Sequence, residues 1–316
     1  MSNKHPIVAV TGSAGAGTTT VRYAFSDIFR RQGIHAQIVK GESFYRYEHA
    51  EMQNLIAGSS KGASPISHFG PEANLFDKLE MLFTQYGKNG SGEMRHYIKD
   101  DDDALHFGLP IGSFTPWQKI EPGSDLLFYE GMHGGTAAHS WTRRAVNPAH
   151  LPQGSERRGK GGKGVNAAQH VDLLIGVAPA VNLEWIQKIH RDCSREGCSL
   201  EEATATILRR MRDYTHFIVP QFALTDINFQ RMPLVDTSNP FITRDIPASD
   251  ESIVIIHFRD PHKFDFPDLL MRLSGSFMSR PNTMVVPGGK MRLALAVICT
   301  PLIEEMMARK SAKARA

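Results

Sequence analysis

Residues Val8–Val21 read VAVTGSAGAGTTTV: a short apolar run, a glycine-rich turn, then the start of a segment with apolar residues at helical spacing. The phosphate-loop pattern G-x-x-x-x-G-K-[ST] fits at every defining position but one, because Thr18 stands where the lysine belongs. Gly12, Ser13, Ala14, Gly15, Ala16, Gly17 and Thr18 then form a cradle whose backbone N–H groups face phosphate oxygens. The helix that follows points its positive end at the same place. Thr19 takes the hydroxyl position that holds Mg²⁺ in such loops. The rival reading is a glycine-rich β-to-α turn with no ligand, but the context is the one the motif needs. Ile7–Val10 is a strand candidate, and Val21, Ala24, Phe25, Ile28 and Phe29 share a helical face. A cradle without its lysine must take positive charge from elsewhere in the chain.

The rest of the chain supplies an α/β frame. Ile34–Val39 reads as a second strand, Ala50–Leu55 and Asn74–Tyr86 as helices, and Asp125–Tyr129 as a buried parallel strand ending in Glu130-Gly131. Val171–Val177 is another strand, Trp185–Arg191 and Glu201–Tyr214 are helical, Ile253–Phe258 is a β-branched strand and Leu293–Met307 a helix. Gly87–Gly123, with the acidic run Asp100–Asp103, reads as irregular, and Ala63–Gly70 as a loop. Alternating strands and helices imply a mixed, largely parallel sheet flanked by helices, within one domain over residues 1–316. Residues 145–168 carry Arg157, Arg158, Lys160 and Lys163 among glycines with no apolar period, which reads as a basic loop insertion in that domain; an anion-binding loop is the alternative.

Bulk properties narrow the class. The 316 residues are 41% hydrophobic and 22% charged, ordinary for a globular chain. A net charge of +3 gives no ground for a nucleic-acid partner, whereas a local basic cluster suffices for a small anionic substrate. Cys193, Cys198 and Cys299 make no disulfide framework, and no signal-peptide core is visible at the N-terminus; a cytoplasmic setting is expected. The longest apolar stretch, Leu293–Ile303, is too short to span a bilayer, so no membrane partner is expected.

Three constellations carry chemistry. Glu130 ends a buried strand, where the acidic residue of a phosphate-loop enzyme meets Mg²⁺. Lys188, Arg191 and Asp192 of NLEWIQKIHRD lie at i, i+3 and i+4, one helical face, and offer the missing cations; a solvated face with a weak salt bridge is the bland alternative. Glu42, in KGESFYRY after the second strand, is the candidate base for an acceptor hydroxyl.

The segments GSAGAGTTT, SHFGPEAN, FTPW, LLFYEGMHGG, VNLEWIQKIHRD, ILRRM, VPQF, INFQR, VDTSNPF and VVPGGKM run in order from Gly12 to Met291. Together they resemble the bacterial (class I) phosphoribulokinases, a family that itself lacks the phosphate-loop lysine. The resemblance implies an adenylate-kinase-type phosphate-loop fold and transfer of the γ-phosphoryl group of ATP, with Mg²⁺, to the 1-hydroxyl of ribulose 5-phosphate in the Calvin cycle. It also implies a homo-oligomer, octameric in bacterial members, activated by NADH. On this resemblance Glu130 is the Mg²⁺ ligand, Lys188 and Arg191 stabilise phosphate, and Asp192 is an essential carboxylate. Arg31 and His133 match a family arginine and histidine.

Departures fall on the acceptor side. Where the family reads G-D-[SA]-F-H-R, the chain has Gly41-Glu42-Ser43-Phe44-Tyr45-Arg46. His49 and Gln53 replace an arginine and a lysine, Lys99 of RHYIK replaces a histidine, and Arg195-Glu196-Gly197 reverses the usual order. Tyr45, Arg46, His49, Lys99 and His133 are therefore the expected substrate-binding set, with Glu42, Lys188, Arg191 and Asp192 catalytic. Three readings follow: a phosphoribulokinase, a divergent kinase acting on another small sugar phosphate or polyol, and a nucleotide-binding regulatory protein without turnover. The intact Thr19, Glu130, Lys188, Arg191 and Asp192 set argues against the third.

Overall fold

The computed structural model describes residues 5–12, 18–59, 66–141, 164–195, 197–242 and 245–315. The elements in order are β1 (Ile7–Gly12), α1 (Thr18–Gln32), β2 (Ala36–Lys40), α2 (His49–Ser59), α3 (Phe76–Asn89), β3 (Glu93–Met94), α4 (Asp101–Phe107), β4 (Gln118–Lys119) and β5 (Leu126–Gly131). They continue with β6 (Leu173–Pro179), α5 (Val181–Arg195), α6 (Leu200–Asp213), α7 (Val219–Phe222), β7 (Ile227–Pro233), β8 (Ser252–Phe258), α8 (Phe266–Arg272), β9 (Phe277–Arg280), β10 (Thr283–Pro287) and α9 (Met291–Arg315).

Eight of the strands form one sheet in the order β2-β5-β1-β6-β7-β8-β10-β9. The pairs from β2 to β7 are parallel, and those from β7 to β9 are antiparallel. The crossovers of the parallel part put helices on both faces. Strand alternation assigns the faces: Val8, Val10, Leu126 and Phe128 pack with α1 and α9, whereas Ile7, Ala9, Leu127 and Tyr129 pack with Leu79, Leu82, Phe83 and Tyr86 of α3. Phe25, Phe83 and Phe128 are fully enclosed, and each such burial stabilises the fold by about 1.5–3 kcal/mol.

The stretch Gly87–Gly123 differs from the irregular segment expected. β3 and β4 pair antiparallel, and the acidic run opens α4, whose N-cap Asp100 accepts from the Asp103 N–H. Acidic side chains suit the positive N-terminal end of a helix, which is where Asp101–Asp103 lie. β7, β9 and β10 are additions to the expected strands, and all three lie in or beside the antiparallel part.

The parallel strands end together, and two glycines let them come close. A Cβ on Gly131 would lie 2.7 Å from the Gly41 Cα, and one on Gly41 would lie 2.9 Å from the Gly131 Cα. Side chains at either position would drive the ends of β2 and β5 apart. The sequence Lys40-Gly41-Glu42 beside Glu130-Gly131 thus brings two carboxylate-bearing segments to one end of the sheet.

Candidate active site

The nucleotide side rests on β1, β5 and α1. Gly12 closes β1, is buried and pairs with Val177 of β6. Ser13, Ala14, Gly15, Ala16 and Gly17 lie outside the described residues, as do residues 142–163, which include most of the expected basic insertion. Thr18 and Thr19 begin α1, so the helix N-terminus follows the loop directly. Glu130 stands opposite Val10 of β1 and Lys40 of β2. Burial raises its pKa to about 7, against the opposing pull of Arg22; the neighbouring Glu42 pushes it further up, and Lys99 and Lys40 draw it down. A carboxylate in that position gains strongly from a divalent cation. Glu130 is a hard oxygen donor at the strand end beside β1, which fits Mg²⁺ better than a metal that prefers thiolate or imidazole.

The acceptor side begins one residue past β2. Glu42 lies in a 3₁₀ turn, Gly41–Phe44, and its Oε1 is 3.5 Å from the Nζ of Lys99. Two residues expected on the acceptor side, 57 positions apart in the chain, thus meet here. Arg95 holds this turn: its guanidinium lies 3.5 Å from the ring centroid of Phe114 and 4.9 Å from that of Trp117, and it donates to the carbonyls of Ser43 (3.1 Å) and Tyr45. Tyr45 is half-buried between His68 (ring centroids 5.1 Å) and Tyr97 (5.7 Å). Burial and then the Glu42 charge push its phenol well above the usual tyrosine range, so it stays protonated and able to donate.

Helix α5 presents the expected cationic face. Lys188 is hydrogen-bonded to Asp192 Oδ2, and Arg191 Nε lies 3.5 Å from Asp192 Oδ1. Asp192 is 5% exposed, and two cations one and four residues back compensate its charge. The pKa of His68 marks where this face points. Burial lowers it to about 4, with electrostatic contributions from Arg210, His49 and Lys188 acting in the same direction. One imidazole thus lies within electrostatic reach of α6, α2 and α5 at once.

Two of the residues expected to bind substrate also make contacts within the protein. Arg46 donates through Nε to Glu72 O (3.0 Å) and through one terminal nitrogen to Pro71 O (3.3 Å) and Asn74 O (3.1 Å). His133 is 3% exposed; its Nε2 lies 3.2 Å from His68 O, its ring meets Phe76 edge-on, and burial lowers its pKa to about 4. Both side chains hold the 66–74 loop against the site. His49 is exposed, and its backbone N–H bonds Gly112 O at 2.8 Å. Arg31 lies in the last turn of α1, about 20 Å from the phosphate-loop end of that helix.

Sequence reading singled out none of His68, Arg95, Arg210 and Gln221 as site residues. Gln221 is fully buried and bonds Thr11, Met132, Gly135 and Phe217. Three of the four lie in or next to motifs that carry the resemblance (SHFGPEAN, ILRRM, VPQF), so the signal was present as sequence without an assigned role. Arg95 had only its position in RHYIK.

A family model described as the phosphoribulokinase / uridine kinase family matches residues 7–146 and 160–238. The chain is 49% identical over 311 residues to a phosphoribulokinase of Nitrobacter vulgaris, covering 98% of this chain and 99% of the relative. It is 48% identical over 316 residues to the chromosomal phosphoribulokinase of Cupriavidus necator, with full coverage of both. The solved phosphoribulokinase from Rhodobacter spheroides superposes with a TM-score of 0.82 at 44% identity, covering 98% of this chain and 99% of that one.

Proposed function

The chain belongs to the phosphoribulokinase / uridine kinase family, and we propose that it transfers the γ-phosphoryl group of ATP to the 1-hydroxyl of ribulose 5-phosphate, giving ribulose 1,5-bisphosphate and ADP. The observation that carries this reading is the placement of Glu42 beside Glu130, at the sheet end where the phosphate loop leaves β1. Glu42 accepts the hydroxyl proton as the new O–P bond forms and the bond from the γ-phosphorus to the ADP oxygen breaks. Lys188 and Arg191 oppose the charge on the moving group and replace the lysine absent at Thr18. Asp192 holds both cations in place. Glu130 and the hydroxyl of Thr19 are the residues that would hold Mg²⁺, which when bound draws charge from the β- and γ-phosphates.

Lys188 and Arg210, both within electrostatic reach of His68, suit the 5-phosphate, and Tyr45 donates to it or to a sugar hydroxyl. Lys99 fixes the orientation of Glu42 and lies at the same rim. This altered rim is also what favours a second reading, a kinase of the same family acting on another small sugar phosphate. We extend the proposal to assembly and control: a homo-oligomer, octameric on the family pattern, that responds to NADH and works in the cytoplasm. The open edge strand β9 with Phe277 exposed supports association, and no helix of the described residues is long and apolar enough to cross a membrane.

Phosphorus NMR on a mixture of the protein, ATP, Mg²⁺ and ribulose 5-phosphate tests the reaction. ADP and a second phosphate-monoester resonance on the sugar are expected to appear together. ATP consumed only when a different sugar phosphate is supplied would select the second reading.

A further inference from the structure

Gln221 has no exposed surface, and every hydrogen-bonding capacity of its amide is used. Nε2 donates to Met132 O at 3.0 Å and to Phe217 O at 2.9 Å. Oε1 accepts from the Gly135 N–H at 3.0 Å and lies 3.0 Å from the Thr11 hydroxyl, whose single proton is shared between it and Met132 O at 3.1 Å. Only this orientation works, since a reversed amide would set its NH₂ against the Gly135 N–H and its oxygen against two carbonyls. Gly135 and Gln221 approach closely, since a Cβ on Gly135 would lie 3.1 Å from the Gln221 Cβ.

The bonded segments belong to different halves of the site. Thr11 directly precedes Gly12 and the phosphate loop. Met132 and Gly135 follow Glu130 and flank His133, which grips the acceptor-side loop through His68 O. Phe217 lies in a π-helical turn, Tyr214–Ile218, and packs on that loop; a Cβ on Gly70 would lie 3.2 Å from its ring. Wide turns of this type cluster at functional sites because they redirect side chains.

We propose that Gln221 is a positioning residue that sets the distance between the phosphoryl donor and the acceptor hydroxyl. It touches neither substrate. It acts by locking the start of the phosphate loop, the turn after Glu130 and the wall of the acceptor pocket to a single amide. Misplacement of reacting groups by about 1 Å costs on the order of 100-fold in rate, so a loosened bracket lowers turnover while each substrate still finds its own side.

Two variants test this, and the inference rests on the kinase reading. Gln221→Leu keeps the volume and removes all four hydrogen bonds. Its kcat per folded molecule is expected to fall about 10- to 100-fold, with the KM for ATP and for ribulose 5-phosphate each within about threefold of wild type. Gln221→Glu can still accept from Gly135 and Thr11, but as a carboxylate it has no proton for Met132 O or Phe217 O. Protonated, it donates to one of them. Its kcat relative to wild type is therefore expected to rise by about fivefold or more as pH falls from about 8.5 to 6, while the Gln221→Leu ratio stays flat. His68 and His133, with pKa lowered to about 4, stay neutral through that range.

A Gln221→Leu enzyme within twofold of wild-type kcat, or one whose whole loss lies in KM, would overturn the proposal, as would a flat Gln221→Glu ratio. Absence of wild-type turnover would refute the kinase reading instead. Deuterium exchange then decides the bracket: in Gln221→Leu the 132–135 segment must exchange faster while Leu126–Tyr129 keeps its protection, and unchanged exchange at 132–135 would end the proposal.

Discussion

The two sides of the site are built from different materials. The nucleotide side stands on strand ends inside a sheet covered on both faces: Gly12 closes β1, Glu130 stands next to it on β5, and α1 begins directly past the loop. The acceptor side is assembled from a 3₁₀ turn, an exposed lysine and side chains spread from Glu42 to Arg210, held by stacking on Arg95 and by carbonyl contacts of Arg46. Moving a residue of the first side disturbs buried parallel strands. A residue of the second is held by a few local contacts, as the Glu42–Lys99 ion pair illustrates.

Separability of the two sides makes the comparison breakable. Glu42→Ala removes the proton acceptor and is expected to lower kcat by about 1,000-fold, since general-base catalysis contributes roughly 10²–10⁴. ATP affinity, measured by calorimetry, should stay within about twofold; a loss of ATP binding would show that the sides are not separable. Lys188→Met is expected to cost about 100-fold in kcat/KM, because one charge on the moving phosphoryl group goes unopposed. Arg191 remains to accompany Asp192, so the variant should still fold, which circular dichroism checks.

Lys99→Met sharpens the picture on the acceptor side alone. It frees Glu42 from its 3.5 Å contact and should raise the KM for the sugar phosphate or lower kcat by about tenfold in total, with the KM for ATP unmoved. An equal effect on ATP would place Lys99 in the nucleotide site.

The smallest expected effect concerns the latch between the sides. His133 has a folded pKa of about 4, below the ordinary 6.5, so the unfolded chain binds the extra proton. Its contribution to stability is complete above pH 6.5 and is lost as pH falls toward 4. Between pH 7.5 and 5 the loss is about 2 kcal/mol. Urea denaturation at both pH values should give His133→Gln a shallower pH dependence than wild type by about that amount. Equal slopes would mean that folding leaves the His133 pKa unshifted.

What was legible in the sequence follows from the same division. β1, β5 and β6 are buried on both faces and read as continuous apolar runs, and Lys188, Arg191 and Asp192 share a face through spacing within one helix. β7 escaped because Asn228 and Gln230 interrupt its apolar residues, and β9 because four residues, FMSR, with two exposed ends carry little pattern. Glu42 and Lys99 are 57 residues apart, and nothing local announces their contact. Gln221 reads as one polar residue in VPQF; only the fold brings Thr11, Met132, Gly135 and Phe217 around it.

The most direct measurement is kcat/KM by coupled ADP release, with ribulose 5-phosphate set beside a panel of other pentose and hexose phosphates and polyols. Ribulose 5-phosphate is expected to be the preferred acceptor by at least about 100-fold, because a site built to hydrogen-bond one hydroxyl pattern rejects others strongly. Equal or greater kcat/KM for another acceptor would contradict it, and would mean that Glu42, Tyr45 and Lys99 have remade the pocket for a different sugar.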